Sequence, residues 1–479
     1  MSTLTEIPQL NIDMLAAIRK AEADLAARFA EKMRVNADLG RHLVSFQANR
    51  EESGHRWCKY REGFSAELIR YCIRKVGISG RILDPFAGSG TTLFVAAEQG
   101  CDAIGIELLP SSAAIIEARR AVLDADKPRV AAALRRIMAK RQWSMHGEAK
   151  SFQHLRITKG AFPADTERHL GRFLFDAGRE PDELRSLLHF AALSVLEEIS
   201  YTRKDGQYLR WDQRSGRCLG KKGFDKGTIP HFDEAIVRKL GQIADDLEGR
   251  EQEPLLFTLD RPRPLPGNIE LKVGSCLDII PALPSESLDG LITSPPYCNR
   301  YDYTRTYALE LAMLGVGEEG IRRLRQTMLS CTVENKDKDD LAQKFGDRTF
   351  HSALGAYDNQ QLLALILEYL GACKEAGTIN NPGIVRMVKN YFLELALLIF
   401  ASAKVLKANA PFIMVNDNVR YEGVHIPVDL ILSDFAKQAG LKTDAIWVLP
   451  KGKGNSSQQM GRHGRQEIRK CVYVWRKGA

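Results

Sequence analysis

The sequence Arg81-Ile82-Leu83-Asp84-Pro85-Phe86-Ala87-Gly88-Ser89-Gly90-Thr91-Thr92 combines a short apolar run with a glycine turn. The apolar run, which ends in a carboxylate at position 84, predicts a buried strand. Residues 87–90 predict a tight turn, because glycine lets the backbone pass close beneath a ligand where a Cβ atom would clash. Residues 91–100 predict a helix. A strand, a glycine turn and a helix in this order are the context that a nucleotide-type binding motif requires.

A second predicted strand, residues 102–107 (Asp-Ala-Ile-Gly-Ile-Glu), follows this helix and also ends in a carboxylate. Glu107 can accept hydrogen bonds from both ribose hydroxyls of a nucleoside. The alternative is a solvated strand end with no ligand.

Residues 288–292 form another apolar run, and Ser294-Pro295-Pro296-Tyr297 follows it. Two prolines cannot continue a strand ladder, because neither has an N–H group to donate. Their carbonyl groups and the serine hydroxyl can hold an exocyclic amino group, while the ring that carries this group stacks on the tyrosine. The alternative is a proline-stiffened turn with a packed tyrosine.

Together, these stretches resemble the S-adenosylmethionine-dependent DNA amino-methyltransferases, which methylate adenine N6 or cytosine N4. The family's cofactor motif has the form D-P-F-x-G-x-G-T-T, and every fixed position is present at residues 84–92. Its catalytic motif, [DNS]-P-P-[YFW], is present at residues 294–297. Two long inserts lie outside the resemblance.

The resemblance implies S-adenosyl-L-methionine as the cofactor, with Glu107 at the ribose and Asp84 near the cofactor's amino group. Phe64 and Ser65, which precede a predicted helix at residues 66–76, match a motif that helps to hold the methionine end; an ordinary helix start is the alternative. Ser275 stands where the family often has an aspartate, which puts one acidic contact in doubt. The implied cofactor-binding residues are Phe64, Ser65, Asp84, Pro85, Phe86, Ala87, Gly88, Gly90, Thr91, Thr92 and Glu107.

The resemblance also implies direct methyl transfer to a base that is rotated out of double-stranded DNA. The implied catalytic residues are Ser294, Pro295, Pro296 and Tyr297. Serine at the first position favours cytosine N4, and adenine N6 is the alternative. An RNA or protein-residue methyltransferase and a non-catalytic binding protein that kept the fold are rival interpretations. The intact Gly88, Gly90 and Glu107 argue against the last of these.

Composition agrees with a globular protein of this class. The net charge of +8 permits a polyanion partner, and 44% of the residues are hydrophobic. The nine cysteines include no CxxC pair, and no metal site is predicted. The run from 393 to 405 is too short to span a bilayer. We expect a cytoplasmic protein of a bacterial or archaeal cell, monomeric or homodimeric, with a cognate restriction endonuclease as a further partner.

The alternating pattern predicts an α/β protein with a Rossmann-like methyltransferase fold, a mostly parallel seven-stranded sheet and largely helical inserts. Residues 12–43 predict one long helix in the N-terminal segment. The predicted segments are an N-terminal helical arm (1–50), a cofactor-binding half (51–110), a helical and basic insert as candidate target-recognition region (111–268), a catalytic half (269–317), a second insert (318–385) and the C-terminal part of the catalytic domain (386–479).

Two polar segments are candidates for DNA contact. Residues 201–226 interleave basic residues with aromatic ones, which suits phosphate contact and base stacking. Residues 451–465 are rich in glycine, amides and hydroxyls. A solvated charged loop and a disordered loop are the respective alternatives. The candidate DNA-binding residues are Arg203, Lys204, Arg210, Trp211, Arg214, Lys221, Lys222, Asn455 and Gln458.

Overall fold

The computed structural model describes residues 3–40, 43–60, 62–205, 208–217, 223–249, 266–450 and 468–479. The strands in chain order are β1 (Met33–Val35), β2 (Arg81–Asp84), β3 (Asp102–Glu107), β4 (Thr202–Asp205), β5 (Tyr208–Trp211), β6 (Ile269–Val273), β7 (Gly290–Thr293), β8 (Pro411–Asp417), β9 (Val419–Tyr421), β10 (Val424–Ile426), β11 (Leu441–Val448) and β12 (Lys470–Lys477). The helices are α1 (Thr3–Phe29), α2 (Ala66–Val76), α3 (Thr91–Glu98), α4 (Pro110–Arg120), α5 (Lys127–Lys140), α6 (Ala164–Ala177), α7 (Asp182–Ile199), α8 (Phe232–Glu248), α9 (Cys276–Ala282), α10 (Tyr303–Thr306), α11 (Ala308–Met313), α12 (Glu318–Thr327), α13 (Leu341–Phe345), α14 (Asp347–Asp358), α15 (Gln361–Glu375), α16 (Gly383–Val405) and α17 (Val428–Gln438).

Eight strands of the described chain form the central sheet, in the order β1-β11-β12-β8-β7-β2-β3-β6. The prediction of seven strands therefore differs by the edge strand β1, which pairs in parallel with β11 through Met33 and Ile446. β12 runs antiparallel to both of its neighbours, and the other pairings in this sheet are parallel. The α/β class and the mostly parallel sheet are confirmed.

The strand order reverses at β2. This strand pairs with β3 on one side and with β7 on the other. The carboxyl ends of β2 and β7 therefore lie side by side, while the chain that leaves each of them runs in a different direction. Ligands of open α/β sheets bind in the crevice outside such a reversal, and both sequence motifs lie there.

Alternating residues of the two central strands face opposite sides of the sheet, as the strand period of two requires. Leu83 and Leu291 belong to the apolar core that contains α16, and Ile82 and Ile292 belong to the core that contains α2 and α3. Helices thus cover both faces, which explains why these strands are continuous apolar runs rather than alternating ones.

The N-terminal segment differs from the long helix predicted over residues 12–43. α1 ends at Phe29, and β1 follows after three residues. Ile18, Leu25 and Phe29 are buried in the core that contains α16, so α1 packs on the body of the fold. None of the helices in the described ranges is long and apolar enough to cross a membrane.

The long segment between β3 and β6 contains α4 to α8 and the hairpin of β4 and β5. Its helices share an apolar core with Trp57, Tyr60 and α11. The segment between α11 and α16 contains α12 to α15. Both predicted inserts are thus largely helical where they are described, and their part in DNA recognition stays a prediction.

Candidate active site

The turn between β2 and α3 lies against the end of β3. The Ala87 N–H donates to the Ile106 carbonyl at 3.0 Å, and the Gly90 N–H donates to the Ala87 carbonyl at 2.7 Å. Gly88 has φ +55°, and a Cβ atom there would lie 3.0 Å from the ring of Tyr60. The glycine is therefore required both by the backbone conformation and by the close approach of the tyrosine.

Asp84, at the end of β2, is buried and joins the two central strands. Its Oδ1 accepts hydrogen bonds from the Thr293 hydroxyl at 2.7 Å and from the Phe86 N–H at 3.1 Å. Burial raises the pKa of Asp84 to about 6, although these hydrogen bonds favour its charged form. The carboxylate thus fixes the position of the turn relative to β7.

Glu107, at the end of β3, reaches beneath the same turn. One carboxylate oxygen accepts from the Gly88 N–H at 2.7 Å and the other accepts from the Leu109 N–H at 2.8 Å. Burial raises the pKa of Glu107 to about 7, while these two N–H groups favour the charged form. Each oxygen keeps a further lone pair for a ligand.

These elements enclose a cavity beside the turn, here called the turn cavity, with about 800 Å³ of atom-free space including its open mouth. Predicted residues that line it are Phe64, Pro85, Phe86, Ala87, Gly88, Thr91, Glu107, Ser294 and Pro296. Sequence reasoning missed other lining residues, because none of them belongs to a recognised motif: Tyr60, Glu62, Leu109, Tyr303, Met328 and Leu329.

Four predicted cofactor-binding residues lie behind this wall instead of lining it: Ser65, Asp84, Gly90 and Thr92. Ser65 caps α2, since its hydroxyl oxygen accepts from the Leu68 N–H at 3.1 Å and the hydroxyl donates to the Leu43 carbonyl at 2.6 Å. Ser65 is fully buried, and its part in holding the cofactor stays a prediction.

Ser275, at the position where the family often has an aspartate, lines the turn cavity. Its hydroxyl donates to the Thr327 carbonyl at 3.1 Å and accepts from the Leu277 N–H at 3.3 Å. Asp278, the other acidic residue nearby in sequence, pairs with Lys344 at 2.8 Å and does not line the cavity.

The Ser-Pro-Pro-Tyr stretch leaves β7 at the mouth of the turn cavity. Ser294 and Pro296 line that cavity, whereas Tyr297 lines a larger cleft, and Pro295 is buried between them. The Ser294 hydroxyl donates to the Tyr297 hydroxyl at 3.3 Å. Burial and the nearby Asp417 raise the pKa of the Tyr297 hydroxyl well above its usual range. The stretch therefore separates two spaces and faces both.

The larger space, here called the basic cleft, has about 3430 Å³ of atom-free space including its open mouth. Its described lining includes four glutamates and nine lysines and arginines, namely Arg50, Arg56, Lys59, Arg203, Lys204, Lys226, Lys239, Arg469 and Lys470. Several of these cations already have partners, such as Lys470 with Asp417 at 2.8 Å. The excess of positive charge beside Tyr297 still favours a polyanion.

The predicted DNA-binding residues on the hairpin of β4 and β5 divide by face. Arg203 and Arg210 are directly opposite one another and exposed. Both guanidinium groups lie over the Phe224 ring, with the Arg210 group 4.2 Å and the Arg203 group 5.9 Å from its centre. Arg210 also pairs with Asp205 of the same hairpin at 3.6 Å, so the hairpin itself partly compensates these two positive charges.

Lys204 and Trp211 lie on the opposite face of the hairpin and are buried there, and their contact with DNA stays a prediction. The Lys204 ammonium is buried and pairs with Glu310 at 2.6 Å, and the Trp211 ring is buried beneath the Arg217 guanidinium. Arg214 is exposed but forms a two-pronged contact with the buried Asp212. Lys221, Lys222, Asn455 and Gln458 lie outside the described residues.

One group of side chains with metal-binding chemistry occurs in the described ranges, on the insert: His169, His231 and Asp233. The Asp233 carboxylate already accepts from Trp143 at 2.8 Å, Ser144 at 2.6 Å and His169 at 3.1 Å. The hydrogen bond between His169 and Asp233 connects α6 to α8, so the cluster has a structural role.

Comparisons with known proteins identify the family of this chain. A family model of DNA methylases of the N6/N4 type matches residues 33–118. Type II methyltransferase M.AvaI of Nostoc sp. is 47% identical over 475 residues, which are 99% of this chain and 96% of that protein. Type II methyltransferase M.BsoBI of Geobacillus stearothermophilus is 40% identical over 92% of this chain and 88% of that protein. The chain therefore belongs to the S-adenosylmethionine-dependent DNA amino-methyltransferases.

Proposed function

We propose that this protein transfers a methyl group from S-adenosylmethionine to the exocyclic N4 of cytosine at a specific site in double-stranded DNA. The observation that carries the proposal is the position of residues 294–297 between two spaces. Ser294 and Pro296 line the turn cavity, and Tyr297 lines the basic cleft. A base that enters from the cleft would present its amino group at the boundary between them.

The turn cavity fits the cofactor. Its glycine turn allows close approach, and Glu107 can accept from the two ribose hydroxyls while it holds the turn. Phe64 and Leu109 supply apolar surface for a purine ring. The cofactor supplies an electrophilic methyl group, so the protein needs no nucleophile of its own.

The catalytic stretch orients the amino group. The Ser294 hydroxyl and the Pro295 carbonyl would accept its two N–H groups, which turns the nitrogen lone pair away from the base ring and towards the turn cavity. Tyr297 would stack on the base, and its contact with Ser294 would yield to the incoming amino group. Positioning of this kind supplies most of the rate enhancement for a transfer between two bound molecules.

The basic cleft is the proposed path of the DNA backbone. Arg203 lines the cleft, and Arg210 is opposite it on the same exposed face of the hairpin. We propose residues 111–268 as the main target-recognition region, with residues 318–385 contributing, because these segments are added to the sheet that carries the chemistry. An amino group inside a duplex could not reach the boundary at Tyr297, so we propose that the target base rotates out of the duplex.

The relatives are named Type II methyltransferases, which supports a role beside a restriction endonuclease of the same site. Plasmid from cells that produce the protein should resist at least one endonuclease in a panel of known specificities. Resistance that is lost with a Ser294→Ala variant would connect protection to this active site. The cytoplasmic location and the monomeric or homodimeric state stay predictions.

The decisive experiment is parallel incubation with labelled S-adenosylmethionine and mixed DNA, RNA or protein extract, with digestion of the nucleic acids to nucleosides and mass spectrometry. We expect N4-methylcytosine, because serine precedes the two prolines. N6-methyladenine would keep the mechanism and reject the base. Label in RNA or in protein, with none in DNA, would reject the proposed substrate. No label in any of them would favour a binding protein.

A further inference from the structure

Glu62 lies where the two spaces meet. Among the described lining residues, Glu62 and Gly63 are the two that the turn cavity and the basic cleft share. Neither belongs to the motifs at 84–92 and 294–297. If the proposed function is correct, on which this inference rests, the methyl group crosses from one space to the other at this boundary. The Glu62 carboxylate is therefore close to the point of transfer.

Two tyrosines hold the Glu62 carboxylate at the boundary. The Tyr301 hydroxyl donates to one oxygen and the Tyr307 hydroxyl donates to the other. Tyr307 is itself fixed by stacking on Tyr60, with ring centres 5.5 Å apart. Hydroxyl donors stabilise a charged carboxylate, and each oxygen keeps a further lone pair. The arrangement presents a negative charge in a constant position.

The charges around the turn cavity assign this carboxylate a role. Its described lining contains two carboxylates, Glu62 and Glu107, and no lysine or arginine. Glu107 lies beneath the glycine turn, at the end of β3, where the ribose is proposed to bind. Glu62 lies where the turn cavity adjoins the basic cleft, the boundary that the methyl group would cross. In S-adenosylmethionine that methyl group is bonded to a sulfur with a full positive charge, and in the product this sulfur is neutral.

We propose that Glu62 is the counter-ion of the cofactor's sulfonium centre. An opposite charge held a few ångströms away stabilises the charged cofactor and has no such effect on the neutral thioether. Glu62 therefore makes the site prefer the cofactor that still carries its methyl group over the spent product. Tyr301 and Tyr307 are positioning residues, which act through Glu62.

The test compares binding rather than activity. Calorimetry measures the dissociation constants of S-adenosylmethionine, S-adenosylhomocysteine and sinefungin, a cationic analogue, for the wild type and Glu62→Gln. We expect the variant to bind both cations about tenfold or more weakly and the neutral product within about twofold of the wild type. Equal losses for all three ligands, or no loss, would overturn the proposal.

Glu67→Gln is the matched control, because Glu67 is on the nearby α2 and pairs with the exposed Arg74 at 2.8 Å; it should change none of the three constants. If Glu62→Gln does not fold, Glu62→Asp replaces it. The shorter side chain withdraws the charge from the boundary, so cation binding should again fall selectively, and an unselective fall would overturn the proposal. A wild type that binds no S-adenosylmethionine would reject the proposed function itself. Methylation with an unchanged ligand preference in the variant would reject only the role of Glu62.

Discussion

Tyr297 lines the basic cleft, whereas most of the residues proposed to hold the cofactor line the turn cavity. Replacement of Tyr297 by Ala removes a stacking surface from the base and leaves the cofactor wall intact. We expect kcat/KM for DNA to fall about 10- to 100-fold, since stacking on an aromatic side chain contributes about 1–3 kcal/mol per base. The dissociation constant of S-adenosylmethionine should stay within about twofold.

Tyr297→Phe is the control for this substitution. It keeps the ring and removes the hydroxyl that accepts from Ser294, so most of the activity should remain. Equal loss of methyl transfer and cofactor binding in Tyr297→Ala would contradict the stacking role.

We expect Glu107 to make cofactor binding sensitive to pH. Its pKa is raised to about 7 by burial, so the carboxylate takes up a proton as the pH falls through 7. A protonated carboxyl loses one acceptor for the ribose hydroxyls, and S-adenosylmethionine affinity should therefore decrease between pH 8 and pH 6. The raised pKa has the opposite effect on folding. The folded protein binds this proton more tightly than the unfolded chain does. The free energy of unfolding therefore falls as the pH rises from 4.5 to about 7.

Fluorescence titration of the cofactor at several pH values measures the first effect, with Glu107→Gln as the comparison. The variant should bind weakly and with little dependence on pH over this range. A wild-type affinity that stays constant from pH 8 to pH 6 would show that Glu107 does not contact the ribose through its charged form.

The hairpin of β4 and β5 is the element that we expect to contact DNA phosphates through Arg203 and Arg210. Replacement of either by Ala should weaken binding to all DNA sequences and reduce the slope of log affinity against log salt by about 1. Arg129→Ala is the control, because Arg129 is an exposed arginine of the same insert. Filter binding at several salt concentrations gives the slopes, and variants that match the control would remove the hairpin from the interface.

Elements whose signal is local could be predicted from the sequence. The strand, glycine turn and helix at 81–98 are specified by residues close together in the sequence. The same holds for β7 and the two prolines that follow it. β1 could not be predicted in this way, because three residues carry no usable alternation and its partner β11 is more than 400 residues away. The helical spacing of apolar residues is clear around Ala21 and weak after Phe29, so it did not define the end of α1.

The same reasoning explains which parts of the site were missed. Glu107 follows a recognisable strand, whereas Glu62 obtains its position from tyrosines about 240 residues later. The burial of Lys204 could not be predicted, because composition does not reveal which residues of a strand share a face. Its neighbours Arg203 and Asp205 point away from the core in which Lys204 lies, as the strand period of two requires.

At the scale of the whole molecule, a buried ion pair joins the insert to the catalytic part. Lys204 on β4 pairs with Glu310 on α11 at 2.6 Å, and the ammonium lies 4.0 Å from the centre of the Tyr307 ring. Lys204→Ala leaves the Glu310 charge buried, so we expect the free energy of unfolding to fall by about 3 kcal/mol or more.

Urea denaturation measures this loss, and the double variant Lys204→Met, Glu310→Leu is its control. Removal of both charges should restore much of the stability, because no unpaired charge remains in the core. A single variant as stable as the wild type would mean that the insert is held by its apolar contacts alone.

β12 lies between β8 and β11 in the sheet, although it follows both of them in the chain. During translation the ribosome releases β8 and β11 before the strand that connects them. The nascent sheet therefore remains in two parts, each with an unpaired edge, until residues 470–477 emerge. A chain that ends before Lys470 would expose two unpaired strand edges, which can pair with other chains and aggregate. The cell would gain no methylation from it, and chaperones and proteases would receive it instead.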